Sequence, residues 1–186
     1  MRSSGKHALV VAISMLGVLS CSKPAEPARE NQSALDPDRT APIQTDSTSY
    51  LLVREERGWR ADIPFRFRNV ATDTIYIVNC NGAFSVALEQ KAAQGWRPFW
   101  SPIINGCFSP PLTVAPGDTR SVPWIVWGAA PGGNVGPAFA DTTFDGVYRF
   151  VWQNVLFNYE PQRESLGDTV PLRFRVSNEF ALQVKR

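Results

Sequence analysis

The sequence predicts an all-β domain, a two-sheet antiparallel sandwich. Three observations carry this. Short runs rich in Val, Ile, Phe, Tyr and Trp recur at roughly 8–20 residue spacing with Gly, Pro, Asn or Asp between them. No segment sustains the 3.6-residue period of a helix. Several runs alternate apolar with polar side chains, as strands do when one face covers a core and the other meets water.

The expected strands lie near 48–54, 62–69, 74–80, 83–90, 95–100, 119–127, 146–153 and 170–184. Alternation is clearest in "IPFRFRN", where Ile63, Phe65 and Phe67 point inward and Pro64, Arg66 and Arg68 outward. "PLRFRV" repeats the pattern, with Leu172, Phe174 and Val176 in and Arg173 and Arg175 out. "APGDT" at 115–119 has the composition of a β-turn: Pro116 presets φ and Gly117 tolerates a positive one. "FDGVYRF" at 144–150 resembles the entry to the sixth strand of an immunoglobulin-like sandwich, and that resemblance implies that Tyr148 bonds back to the preceding chain.

The succession of "F-x-F-x-N" at 65–69, "G-W" at 95–96, "L-x-V-A-P-G-D-T" at 112–119, "G-V-Y-R-F" at 146–150 and "R-V-S-N-E-F" at 175–180 resembles the immunoglobulin-like domains of bacterial secreted proteins and lipoproteins. It is also similar in outline to the sandwich of a bacterial proteinase-inhibitor family. The resemblance covers most of 60–184 and implies an immunoglobulin-like order in which the sixth and seventh strands are neighbours. Phe150 stands where an antibody domain has the second cysteine of its intersheet disulfide. These motifs specify folding features, and fold does not fix function.

The N-terminal region reads differently. Arg2 and Lys6 precede an apolar run, Ala8 to Leu19, interrupted only by Ser14 and Gly17. That is the pattern of a secretory signal, and too short for a transmembrane span of about 20 residues. Val18-Leu19-Ser20-Cys21 resembles the bacterial lipobox, in which the cysteine is acylated and becomes the mature N-terminus. The resemblance implies lipidation of Cys21, and Ser22, in place of an aspartate, implies the outer membrane where the organism has one. Ser22 to Asp46 carries four prolines among polar residues and reads as a tether. The expected organisation is a signal peptide at 1–20, a lipidated N-terminus and tether at 21–46, and a β domain at 47–186.

Of the 19 basic residues, Arg2 and Lys6 leave with the signal, so 17 face 17 acids in the mature chain. That balance points away from nucleic acid. The only histidine, His7, also lies in the signal, as do both methionines. Without imidazole the mature chain lacks histidine-based nucleophilic and general-base catalysis, and zinc, copper and non-haem iron lose their commonest ligand. No cofactor and no metal site is expected. The nearest carboxylate candidates are Glu55 with Glu56 and Asp141 with Asp145; they read as solvated charges, and an enzyme working through carboxylates alone is the alternative outside the binding class.

Cys80 and Cys107 are the remaining thiols of an exported chain, and such a pair is expected as a disulfide. Two candidate binding surfaces emerge. Trp96, Trp100 and Trp127 would form an aromatic patch if exposed together. Arg149, Arg173 and Arg175 would form a guanidinium face for carboxylate or phosphate if 170–184 were one strand. The expected function is a noncatalytic, membrane-anchored binding or structural module of the cell envelope, engaging an envelope protein or an anionic envelope polymer. A protease inhibitor presenting loop 101–111 or 128–141 is the alternative among binding proteins.

Overall fold

The computed structural model describes residues 41–104, 109–133, 135–160 and 167–186. Cys21, Cys107, the signal segment and most of the expected tether lie outside these residues. Among the described residues there is no α-helix, and the chain is all-β.

The larger sheet has seven strands in the order β12 (Ile125–Gly128), β3 (Gly58–Asp62), β2 (Ser49–Glu55), β15 (Phe180–Val184), β13 (Gly146–Trp152), β8 (Val86–Ala92) and β9 (Gly95–Trp100). All its pairs are antiparallel except β2 with β15. β13 and β15 pair as neighbours. The opposing layer consists of two three-stranded sheets, β1 (Ile43–Thr45) with β4 (Phe65–Arg68) and β11 (Thr119–Val122), and β10 (Leu112–Val114) with β5 (Ile75–Ile77) and β14 (Val155–Leu156). A short hairpin, β6 (Asn79–Cys80) and β7 (Ala83–Phe84), turns through Asn81 and Gly82, both at positive φ, the conformation an Asn-Gly pair favours.

The layers meet through aromatic rings. Phe65 lies 5.4 Å from Phe150 and 5.5 Å from Trp152, and Phe67 lies 5.1 Å from Trp152. All four side chains are fully buried. Burying each contributes on the order of 2–3 kcal/mol, so this contact is a substantial part of the attraction between the sheets.

Two expected strands, 62–69 and 119–127, each divide into two. Asp62 pairs with Ile125 and Phe65 with Val122, so Pro64 falls opposite Pro123. Neither proline has an N–H to donate, and the ladder separates there into a rung of the large sheet and a rung of the small one. The Ile63 N–H to Trp124 carbonyl bond, at 2.8 Å, holds the two halves in register.

Two boundaries differ from the sequence expectation. The fold includes residues assigned to the tether: Ile43 is fully buried, pairs with Phe67, and its carbonyl accepts from the Asn178 N–H at 3.1 Å. The expected strand 170–184 forms only over its last part. Leu172–Phe174 is a 3-10 turn closed by bonds from Phe174 N–H to the Pro171 carbonyl and from Arg175 N–H to the Leu172 carbonyl. Leu172 is exposed, because no neighbouring strand offers a core for it to face.

Candidate functional site

The site that stands out is a pair of loops at the far ends of β9 and β12. Trp100 Nε1 donates to the Trp127 carbonyl at 2.8 Å, tying these two edge strands together. Segment 137–140 completes the bridge: the Ala129 N–H reaches the Pro137 carbonyl at 2.9 Å, the Phe139 N–H the Ala129 carbonyl at 3.1 Å, and the Ala140 N–H the Phe99 carbonyl at 2.8 Å. Beneath them Phe139 is buried against Phe99 and Phe144, with ring centroids 5.7 and 5.2 Å away. Gly128 fits closely there, since a Cβ would lie 3.0 Å from both the Phe139 and the Trp100 side chains.

On this base the loop after β9 and the loop after β12 touch. A Cβ at Gly136 would stand 2.4 Å from Ile103 Cδ1, so the glycine admits the isoleucine. The tips are aliphatic and turned to solvent, with Ile103 64% and Val135 50% exposed. On its other side the first loop walls a cleft of about 280 Å3 through Pro102 and Ile104, facing Asn79, Ser85 and Asn154. The sequence carries a signal for this end beyond the loops' length. The runs 98–117 and 121–140 contain no charged residue, in a chain where 19% are charged.

The structure does not assemble the aromatic patch. Trp100 is buried, 5% exposed, while Trp96 and Trp127 are half-buried. The cause is a β-bulge: Leu88 pairs with Trp100 and Glu89 with Pro98, leaving Phe99 extra, so Trp96 and Trp100 no longer share a face. Trp96 lies under the Arg149 guanidinium at 4.4 Å, and Trp127 Nε1 donates to Glu55 Oε2 at 3.1 Å.

The alternating strand on which the three-arginine face depended is not formed, and each arginine has its own partner. Arg149 pairs with Glu89, its direct cross-strand neighbour, at 2.7 Å. Arg173 stacks on the Phe174 ring at 4.5 Å. Arg175 turns inward, donating from Nε to the Val170 carbonyl at 2.6 Å and from Nη1 to the Trp152 carbonyl at 2.8 Å. Burial holds its pKa below the usual arginine value.

Of the carboxylate candidates, Glu55 accepts from Trp127, as above, and the two aspartates are engaged as well. Asp141 accepts from Arg97 and from the Thr143 N–H, and Asp145 accepts from the Val184 N–H at 2.7 Å. Cys80 ends β6 at the rim of the cleft. No group of three His, Cys, Asp or Glu suited to a metal ion occurs among the described residues. The chain matches no protein-family model, and no curated protein or solved structure matches it.

Proposed function

We propose that this protein is a noncatalytic binding module of the bacterial cell envelope, held at a membrane by lipid on Cys21, with an immunoglobulin-like sandwich that presents the paired loops 101–104 and 129–140 to a protein partner. The observation that carries the reading is the loop pair itself, two uncharged segments with exposed Ile103 and Val135 at their tips, fixed by backbone bonds and a buried aromatic base. Apolar side chains on a preorganised base lose little conformational entropy on binding, and a protein surface is the partner that rewards them. An uncharged end does not suit an anionic polymer. The outer membrane is the favoured location, on the identity of Ser22. A Cys80–Cys107 disulfide belongs to the same proposal, because Cys107 falls within the first loop's continuation.

A photo-crosslinking residue placed at Ile103 in the acylated protein, in intact cells, should yield a discrete higher-mass adduct, and one placed at Lys185 should not. Ile103→Asp with Val135→Asp should abolish capture by a crosslinker at Ala130 while leaving the melting temperature unchanged. Adducts of equal yield at Ile103 and Lys185 would overturn the reading. The protease-inhibitor alternative uses the same loops and is distinguished by the partner: the adduct would contain a protease whose activity falls on binding.

A further inference from the structure

The outer face of the small sheet carries a second site, of different chemistry. Phe65 and Phe67 point into the core, so Arg66 and Arg68 stand together on the solvent side of β4. Their cross-strand neighbours are uncharged: Gln44 and Ser121 lie opposite Arg66, and Thr119 lies opposite Arg68. With Ala41, Pro42 and Val70, these side chains line a groove of about 470 Å3. Asp46 approaches Arg66 Nε only to 3.7 Å, with both side chains exposed. Among the described residues no acid pairs with Arg68.

We propose that this groove binds the phosphate groups of an anionic phospholipid surface. Two guanidiniums on one strand face, beside the Thr119 hydroxyl, offer a phosphate several donors. Val70, 45% exposed at the rim, gives the site an apolar contact suited to the headgroup boundary. The choice of a membrane over a dissolved anion rests on the proposed acylation of Cys21, 20 residues before Ala41: a lipid there holds the domain within reach of a bilayer, so a phospholipid surface is the phosphate source it meets at highest local concentration.

The test uses the full chain with Cys21→Ser, which removes the lipid and so examines the groove separately from the anchor. Sedimentation with vesicles of phosphatidylcholine plus phosphatidylglycerol should retain the protein at low salt, and pure phosphatidylcholine should not. Arg66→Gln with Arg68→Gln should weaken retention by on the order of 25-fold, about fivefold for each arginine near the surface, with an unchanged melting temperature. Arg173→Gln, which removes an exposed charge elsewhere, should change nothing. Equal retention of the double variant and the parent would overturn the proposal. So would groove-dependent binding of inorganic phosphate without retention on anionic vesicles, which would mark a free-anion site. Failure here with intact membrane pelleting of the acylated protein would remove the groove and leave the anchor standing.

Discussion

The Tyr148 hydroxyl donates to the carbonyl of Phe144 at 2.6 Å, pinning the start of β13 to the chain that leads into it. The same oxygen accepts from Gln90 Nε2 at 2.8 Å, and Gln90 Nε2 also reaches the Thr143 carbonyl at 2.9 Å. Gln90 Oε1 accepts from Arg97, whose guanidinium continues to Asp141. Segment 141–146 is thus clamped to β8 and β9. Phe144, in that segment, is part of the aromatic base on which the paired loops stand.

Tyr148→Phe should therefore cost about 1–3 kcal/mol, because it leaves the buried Phe144 carbonyl without its donor. Urea denaturation should show a lower midpoint with an unchanged slope. Burial, reinforced by the Asp141 charge, holds the Tyr148 pKa well above the ordinary tyrosine value. The folded state keeps a proton that the unfolded chain releases near pH 10, so this contribution is whole below that pH and declines as pH rises above it. The alkaline decline should be shallower in Tyr148→Phe, and an identical decline would count against the clamp.

At Asp141, burial raises the carboxyl pKa, but the Thr143 N–H and the Arg97 guanidinium outweigh it and the net shift is downward. A depressed carboxylate stabilises the fold above its unfolded pKa, near 4, and that contribution fades as pH falls through the lower folded value. Asp141→Asn should accordingly lower stability at neutral pH and flatten its dependence below about pH 4. Thermal melts at pH 7 and pH 3 measure this; an equal loss in both would show that the charge is not what matters.

Alternation over Phe65 to Arg68 was legible because period 2 is a local property and both faces were marked, aromatic inside and guanidinium outside. "PLRFRV" shows the same letters without a strand. Local bonds over Pro171 to Arg175 and the inward turn of Arg175 win where no partner strand is available. β1 was hidden for the opposite reason: one isoleucine in a proline-dotted stretch becomes a strand only because Phe67 and Asn178 receive it. The aromatic patch failed on a single extra residue in β9, which no composition rule marks. The touching of the two loops depends on how β9 and β12, at opposite edges of one sheet, are bridged through 137–140. Their lack of charge was in the sequence, and their proximity was not.

Gly58→Ala tests that edge of the sheet. A Cβ at Gly58 would lie 2.4 Å from the Gly128 carbonyl oxygen, a backbone atom that yields only if β3 and β12 separate. The expected cost is about 1–3 kcal/mol. Because β12 leads directly into residues 129–140, proteolysis near Ala130 should also accelerate, and a variant as resistant as the parent would show that the strands absorb the methyl group elsewhere.

Cys21→Ser should abolish acylation and release the protein from the membrane pellet after a high-salt wash, with the β domain still folded. Strong ionic strength screens the proposed Arg66 and Arg68 contacts, so the wash isolates the lipid's share of retention. A variant that still pellets under these conditions is held by something other than lipid.

The last expectation concerns the two downstream cysteines. Residues just after Cys107 are held beside the β6–β7 turn: the Asn81 N–H donates to Ser109 Oγ at 2.9 Å, and Asn79 Nδ2 donates to the Pro110 carbonyl at 3.0 Å. Cys80 lies between Asn79 and Asn81, and Cys107 is two residues from Ser109. These bonds, from residues on either side of Cys80 to Ser109 and Pro110, support the proposed Cys80–Cys107 disulfide. In the Cys21→Ser protein, denatured without reductant, no thiol should react with a chromogenic thiol reagent. Closing the 26 residues between the cysteines should stabilise the fold by about 3–4 kcal/mol through the entropy of the unfolded chain. Cys80→Ser with Cys107→Ser should lower the melting temperature accordingly and weaken crosslinking at Ile103, whose loop would lose its covalent tie to β6. Two reactive thiols per chain, or a double variant as stable as the parent, would show that hydrogen bonds alone hold the loop.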